Sequence, residues 1–198
     1  ASKSSLLKTG PNATQPCGDL DWPKQMDAPA IPVVALVGRP NVGKSSLFNR
    51  IAGQRRSIVD PTAGVTRDRI YAEVQTDGYL WRLIDTGGLT DKSTPLQNAI
   101  IKQTHLAIEE ADVVLLVADV ICGVLPEDRD IARLLHQANK PTIVVLNKAD
   151  LAQHEASQGE FYELGFDKVC PVSATHGRGL TELWDTLCEL ISPTRQES

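Results

Sequence analysis

Apolar and polar positions alternate along the chain so that strands and helices are predicted in turn from residue 31 onwards. Short apolar runs bounded by turn residues predict strands that are buried on both faces, at 32–37, 113–118, 142–146 and 169–172. Apolar residues at helical spacing predict helices at 44–52, at 96–110, from Pro126 onwards and from 180 to 190. This alternation is typical of a parallel sheet that is covered by helices.

Two further alternating stretches, 70–75 and 79–84, flank Asp77-Gly78, a dipeptide typical of tight hairpin turns. They add one antiparallel edge strand. The predicted fold is therefore α/β, with a six-stranded, mostly parallel sheet, one antiparallel edge strand and helices on both faces. At the helix ends, we expect Gly53 in the left-handed conformation after the first helix and Pro95 as the first residue of the second.

The ends of the chain lack this pattern. Residues 1–30 are rich in Ser, Pro, Lys, Asp and Gly and show no apolar period, so we expect a flexible tail there. The folded domain is predicted over 31–191, with 192–198 as a C-terminal tail. Met26, the only methionine, is consistent with a native start, residues 1–25 then coming from a vector or from a processed extension.

The composition of the 198 residues is that of a globular protein, with 41% hydrophobic and 23% charged residues. No apolar run approaches the roughly 18 residues of a membrane span, and residues 1–30 do not resemble a signal peptide. The four cysteines lack the spacing of a zinc site or a disulfide framework. We therefore expect no membrane association and a cytoplasmic protein, or one of an organelle stroma if its first residues are a processed extension.

The charge is unevenly distributed. A net charge of −5 argues against binding nucleic acid through the overall field of the protein. Between Arg39 and Arg69, however, seven basic residues stand against two acidic ones. This local excess suggests a phosphate-bearing ligand in that segment, the alternative being a solvated basic face.

The segment Gly38-Arg39-Pro40-Asn41-Val42-Gly43-Lys44-Ser45 fits the phosphate-loop pattern and stands where that pattern requires, after a strand and at the start of a helix. Its glycines allow backbone N–H groups to surround a β-phosphate, and the helix N-terminus and Lys44 add positive charge. The hydroxyl of Ser45 is expected on Mg²⁺. The alternative is a glycine-rich turn without a ligand, which is disfavoured because a chance match in a chain of this length is roughly one in a hundred.

Asp85-Thr86-Gly87-Gly88 follows the second hairpin strand, where a carboxylate suits a Mg²⁺ contact made through water. Gly88 is expected to offer its N–H to a γ-phosphate. Thr66, in the intervening loop, would complete the Mg²⁺ shell only when that phosphate is present. Residues 54–69 are therefore predicted to act as an order–disorder switch.

Asn147-Lys148-Ala149-Asp150 closes another buried strand, and its carboxylate can accept two hydrogen bonds from guanine that adenine cannot offer. Asn147 is expected to tie this segment to the phosphate loop, and the stem of Lys148 to lie over the base. Ser173-Ala174-Thr175, after the last strand, is expected to supply a backbone N–H to the guanine oxygen. The three motifs together predict a guanine nucleotide as the ligand.

Residues 31–191 resemble a small GTPase domain of the translation-factor-related class, which implies the P-loop NTPase fold. More narrowly, they resemble the first GTPase domain of the EngA/Der family, bacterial proteins with tandem GTPase domains that act in large-ribosomal-subunit assembly. The likeness rests on the segments 38–45, 64–68 (Gly-Val-Thr-Arg-Asp), 85–89 (Asp-Thr-Gly-Gly-Leu), 160–166 and 173–179. On this resemblance we expect an isolated first domain, with the family's second GTPase domain and its C-terminal RNA-binding-like domain as partners that are absent from it.

Leu89 occupies the position at which signalling GTPases carry a glutamine that orients the attacking water. The resemblance implies that other groups take over this role. Asn41 matches the asparagine that helps to hold K⁺ beside the phosphates in potassium-stimulated relatives, so K⁺ joins Mg²⁺ as an expected cofactor. The alternative for Asn41 is a loop-shaping hydrogen bonder.

These observations lead to two hypotheses of different class. The first is a Mg²⁺-dependent enzyme that hydrolyses GTP to GDP and phosphate, with Lys44, Thr66, Gly88 and Asn41 as catalytic residues and with a precursor of the large ribosomal subunit as partner. The second is a GTP-gated binding module, in which hydrolysis only resets the switch and the biological act is docking on a ribosomal precursor or on the family's second domain. A tRNA-modifying or other ribosome-associated GTPase is a third possibility, which Gly87 and residues 160–166 disfavour.

The full set of expected contacts follows from these motifs. Expected Mg²⁺ ligands are Ser45, Thr66 and, through water, Asp85, while Asn41 is the expected K⁺ ligand. Expected nucleotide contacts are Gly38, Arg39, Pro40, Asn41, Val42, Gly43, Lys44, Ser45, Ser46, Asp85, Thr86, Gly87, Gly88, Leu89, Asn147, Lys148, Asp150, Ser173 and Ala174.

Overall fold

A six-stranded sheet organises the part of the chain that the computed structural model describes, which comprises residues 31–54, 70–76, 79–86, 95–151 and 157–191. Its strands lie in the order β2-β3-β1-β4-β5-β6, and every neighbouring pair is parallel except β2 and β3. The predicted fold class is thereby confirmed. The strands are β1 (Val33–Val37), β2 (Ile70–Thr76), β3 (Tyr79–Asp85), β4 (Val113–Asp119), β5 (Thr142–Asn147) and β6 (Val169–Pro171).

Helices cover both faces of this sheet, as predicted. Alternate residues of a strand point to opposite faces, so Val34 of β1 belongs to one hydrophobic cluster and Ala35 to the other. The first cluster joins the sheet to α1 (Lys44–Gln54) and α4 (Leu180–Ile191). The second joins it to α2 (Leu96–Glu110), α3 (Pro126–Gln137) and a 3₁₀ helix (Ser157–Leu164).

The continuous apolar strands are explained by this double cover. All seven residues of β4 and all six of β5 are buried, because helices pack against both of their faces. Across the first cluster, Trp81 of β3 and Trp184 of α4 have ring centroids 5.5 Å apart. In the described residues, no helix is both long and apolar enough to cross a bilayer.

Two expectations about helix ends are wrong. Gly53 lies inside α1, which continues to Gln54, and it is not among the glycines with positive φ. Pro95 precedes α2 as its N-cap residue, and the helix begins at Leu96. At α3 the sequence signal holds, since Pro126 is the first helical residue and the Asp128 carboxylate accepts the N–H of Leu125 at 3.0 Å.

The sheet order places the candidate site. β1 lies between β3 and β4, so the chain leaves neighbouring strands toward opposite faces, and a crevice forms at the carboxyl ends of the strands. The phosphate loop after β1, Asp85 at the end of β3 and Asn147 at the end of β5 all lie along this edge. The tails 1–30 and 192–198 and the hairpin turn at 77–78 fall outside the described residues.

Candidate functional site

The phosphate loop packs closely against its neighbours at both of its glycines. A Cβ on Gly38, whose φ is +151°, would lie 2.3 Å from the carbonyl oxygen of Val117 in β4. A Cβ on Gly43, at φ +90°, would lie 2.3 Å from Nδ2 of Asn147. Both positions therefore require glycine, for backbone conformation and for space.

Lys44 curls back onto this loop. Its Nζ donates to the carbonyl oxygens of Gly38 and Arg39, both at 2.8 Å, and only 7% of the residue is exposed. Burial lowers the pKa of Lys44, although the charge of Asp85 opposes the shift. A buried ammonium group beside the N-terminus of α1 creates a positive site that suits an anion.

Ser45 and Asp85 meet at the same edge. The Ser45 Oγ donates to Oδ2 of Asp85 at 3.0 Å, and Asp85 is held by β3, which pairs with β1. The neighbouring Thr86 is fixed by a bond from its Oγ1 to the carbonyl oxygen of Leu36 at 2.8 Å. An adjacent hydroxyl and carboxylate are hard oxygen donors, which fit a Mg²⁺ ion. Thr66, the third expected ligand, lies outside the described residues.

Substituting Gly43 by alanine is expected to lower the free energy of unfolding by about 1–3 kcal/mol, because the new Cβ overlaps Asn147 and φ is positive. Urea denaturation measures the change. The matched control is Gly53→Ala in α1, where no described atom outside its chain neighbours and the nearby helix backbone lies within 4 Å of the added Cβ. That variant is expected to gain about 0.5–1 kcal/mol from its greater helix propensity. Equal stability of the two variants would contradict the tight packing at Gly43.

Asn147 connects the two halves of the site. Its Nδ2 donates to the carbonyl oxygen of Val42 at 2.9 Å and, more weakly, to that of Gly43 at 3.5 Å. Its Oδ1 accepts the backbone N–H of Ala174 at 3.1 Å. One buried amide thus holds together the phosphate loop, the end of β5 and the loop after β6. The bond to the phosphate loop is the one that the sequence led us to expect.

The Asp150 carboxylate is oriented by the loop after β6. Ser173 Oγ donates to its Oδ1 at 2.6 Å, and the Nη1 of Arg178 donates to the backbone carbonyl of Asp150 at 2.7 Å. No described residue donates a hydrogen bond to its Oδ2. The carboxylate is therefore fixed through one oxygen, and its other oxygen remains able to accept from a ligand.

Within residues 173–177, at the start of the loop after β6, four of the five backbone N–H groups donate to protein acceptors. Of the segment Ser173-Ala174-Thr175, which is expected to supply an N–H to guanine, Ala174 donates its N–H to Oδ1 of Asn147 and Ser173 donates its own to the carbonyl oxygen of Arg178. His176 and Gly177 donate to the side chain and the carbonyl of Ser173. The Thr175 N–H makes no hydrogen bond to a described residue.

Lys148 has a partner that sequence reasoning did not find. Its backbone is left-handed, at φ +69°, and its Nζ lies 2.5 Å from Oδ2 of Asp119, the last residue of β4. Burial alone would raise the pKa of Asp119, but the hydrogen bonds from Lys148 and the Ile121 N–H outweigh it and hold the pKa below the usual range. The position of Asp119 at a strand end, beside Asn147, was the available signal.

Two arginines of the basic segment, Arg39 and Arg50, contact other parts of the protein. The Nε of Arg39 lies 3.4 Å from Oδ2 of Asp128, a carboxylate with no exposed surface in α3. Arg50 donates to backbone carbonyls at 174 and 175. Both guanidinium groups therefore contact protein groups. Among the described basic residues of the segment, Lys44 is the one whose charge lies beside the N-terminus of α1.

The remaining expected contacts divide into two groups. Within the phosphate loop, Asn41 is exposed with φ +66°, Pro40 is half-buried, Val42 is buried and Ser46 is exposed at the start of α1. Gly87, Gly88 and Leu89 lie outside the described residues, together with the segments 64–68 and 55–63.

This fold and this arrangement of loops define a domain of the P-loop GTPase class. A sequence profile described as "50S ribosome-binding GTPase" matches residues 33–148. The chain belongs to this family.

Individual relatives point the same way. A protein named GTPase Der from Ligilactobacillus salivarius is 49% identical over 158 residues, which cover 80% of this chain and 36% of the relative. A GTPase Der from Syntrophotalea carbinolica is 52% identical over 171 residues, covering 84% and 38%. The resemblance to EngA/Der GTPases is thereby confirmed, and the chain spans little more than a third of the length of these relatives.

A solved structure of Era, in complex with MgGDPNP and nucleotides 1506–1542 of 16S ribosomal RNA, superposes with a TM-score of 0.67 at 31% identity. The match covers 85% of this chain and 59% of that chain.

Proposed function

We propose that this chain binds GTP and GDP and hydrolyses GTP to GDP and phosphate as the first GTPase domain of a ribosome-assembly factor. The observation that carries the proposal is Asn147, which joins the phosphate loop to both loops that would read the base. A nucleotide would contact both parts of this site, because it carries phosphates at one end and a base at the other. The family membership and the Der relatives support the same proposal.

The phosphates would lie against the loop 38–43. Lys44 and the N-terminus of α1 would stabilise the charge that develops as the γ-phosphoryl group leaves. Ser45 and, through water, Asp85 would hold Mg²⁺, which neutralises phosphate charge when bound. Thr66 and Gly88 are proposed to position the γ-phosphate, and Leu89 is proposed to take no part in orienting water.

The base would be read by Asp150 and by the loop after β6. The Asp150 carboxylate would accept from the ring nitrogen and the exocyclic amine of guanine, since its Oδ2 is available and its Oδ1, fixed by Ser173, keeps a second lone pair. The Thr175 N–H, which makes no hydrogen bond to a described residue, would donate to the guanine oxygen. The stem of Lys148 would lie over the ring, with its ammonium group held by Asp119.

Titration with fluorescent GDP, GTP and ATP tests the ligand, and phosphate release from GTP tests the reaction. We expect binding of both guanine nucleotides in Mg²⁺, much weaker binding of ATP, and slow turnover. Turnover measured with and without large ribosomal subunits then separates the two hypotheses. Stimulation by the particles supports an enzyme that acts on them, whereas GTP-dependent docking with unchanged turnover supports a binding module.

We further propose that K⁺ stimulates hydrolysis through Asn41, which is exposed in the phosphate loop. Replacing Na⁺ by K⁺ at constant ionic strength is expected to raise phosphate release by about tenfold, equivalent to about 1.4 kcal/mol of transition-state stabilisation. Asn41→Gly is the informative variant, because glycine retains the left-handed backbone while removing the ligand. It should bind GDP normally and turn over equally in both cations. Equal rates in K⁺ and Na⁺ for the unmodified chain would refute this role.

A further inference from the structure

Arg50 links the helix of the phosphate loop to the loop after β6. It lies half-buried on α1, the helix that begins with Lys44, and its Nε donates to the carbonyl oxygen of Ala174 at 2.6 Å. Its Nη2 donates to the next carbonyl oxygen, that of Thr175. A planar guanidinium group can hold two successive carbonyls in one geometry, which a single-point donor cannot do.

The bond from Arg50 to the Ala174 carbonyl determines the direction of the Thr175 N–H. The carbonyl of Ala174 and the N–H of Thr175 belong to one peptide unit, and no cis peptide occurs in the described residues. In a planar trans peptide, these two groups point to opposite sides. Arg50 holds the carbonyl on the side of α1, so the Thr175 N–H is directed away from α1. That N–H has no acceptor among the described residues.

The other side of the same loop is fixed independently. Asn147 holds the N–H of Ala174, and Ser173 holds the carboxylate of Asp150. The orientation of the 174–175 peptide therefore depends on a residue of α1, whereas the Ala174 N–H and the Asp150 carboxylate are held by other residues.

We propose that Arg50 is a positioning residue for base recognition, which presents the Thr175 N–H to the oxygen at position 6 of guanine. This role rests on the proposed function, since it assigns guanine to the loop. It separates two components of specificity: Asp150 reads the ring nitrogen and the 2-amino group, whereas the Arg50-held peptide reads the 6-oxo group.

Three diphosphates distinguish these components in equilibrium binding to the full chain. GDP carries both features, IDP lacks only the 2-amino group, and 6-thio-GDP changes only the acceptor at position 6. For Arg50→Ala, we expect GDP and IDP affinity to fall together by about tenfold, the loss of an oriented hydrogen bond and its partner. The affinity for 6-thio-GDP should change by less than about twofold, because sulfur is a weaker acceptor. The variant should therefore lose the preference for GDP over 6-thio-GDP and keep the preference for GDP over IDP.

Arg50→Lys keeps the charge but not the planar fork, and an intermediate preference for GDP over 6-thio-GDP is expected. Arg133→Ala is the matched control, since Arg133 is exposed on α3 and pairs only with Asp130 in the described structure, at 2.9 Å. It should match the unmodified chain with all three ligands. A uniform loss of affinity for the three diphosphates, or no loss at all, would overturn the role of Arg50. Failure of the unmodified chain to bind GDP would instead refute the proposed function.

Discussion

Replacing Lys44 by alanine is expected to reduce GTP hydrolysis by about 10³-fold, the size of effect seen when one oriented charge-stabilising donor is removed from a transition state. In the structure, the ammonium group is buried and bonded to the carbonyl oxygens of Gly38 and Arg39. It therefore needs no large rearrangement to meet a phosphate. Single-turnover phosphate release at saturating GTP and Mg²⁺ measures the loss.

The same substitution should leave the fold intact. The two hydrogen bonds that Lys44 makes are offset by the cost of burying its ammonium group, a cost that also lowers its pKa. We expect the free energy of unfolding to change by less than about 1 kcal/mol. Lys102→Ala, on the exposed side of α2, controls for removal of a surface lysine. Normal turnover in a folded Lys44→Ala variant would contradict the assignment of the phosphate site.

The fold could be predicted from the sequence because the pattern of apolar residues in each strand indicates which of its faces are buried. The runs at β4 and β5 are apolar throughout, and a strand that is apolar on both faces must be covered on both. The hairpin dipeptide and the alternating stretches beside it likewise predicted the antiparallel pair β2 and β3. The 3₁₀ helix at Ser157–Leu164 was not predicted, because its short turns carry no helical apolar period, although Phe161 is fully buried.

The site could be predicted only where a motif specifies the backbone. The phosphate loop and the segment at Asn147 have fixed spacings, so their positions at strand ends followed from the strand assignments. The partners of Arg39 and Arg50 could not be predicted in this way. They lie 89 and up to 125 positions away, and these contacts depend on helix packing that no local pattern encodes. The contact of Lys148 with Asp119 instead follows from the pairing of β4 with β5, which the sequence does not specify directly. The basic segment was accordingly assigned to a ligand, whereas two of its arginines hold the protein together.

Replacing Asp150 by asparagine is expected to change the preferred base from guanine to xanthine. The Asp150 Oδ1 accepts from Ser173 at 2.6 Å, and an asparagine oxygen can accept the same bond, so the side chain should keep its orientation. The atom at the Oδ2 position then becomes an amide donor. This amide donor cannot form a hydrogen bond with the N–H donors of guanine, but it can donate to the carbonyl at position 2 of xanthine. A buried polar group left unpaired is rejected strongly, so GDP affinity should fall by about 10²-fold.

Titration of the variant with GDP and with xanthosine diphosphate measures the loss of affinity for the guanine nucleotide and the gain for the xanthine nucleotide. We expect the xanthine nucleotide to bind the variant at least as tightly as GDP binds it, while the unmodified chain prefers GDP. Asp185→Asn, a change of the same chemistry on the exposed side of α4, should leave both affinities unaltered. Because Ser173 and Arg178 hold Asp150 from one loop, a loss of GDP binding without a gain for the xanthine nucleotide would mean that the substitution disturbed that loop. Unchanged GDP affinity would show that Asp150 does not read the base.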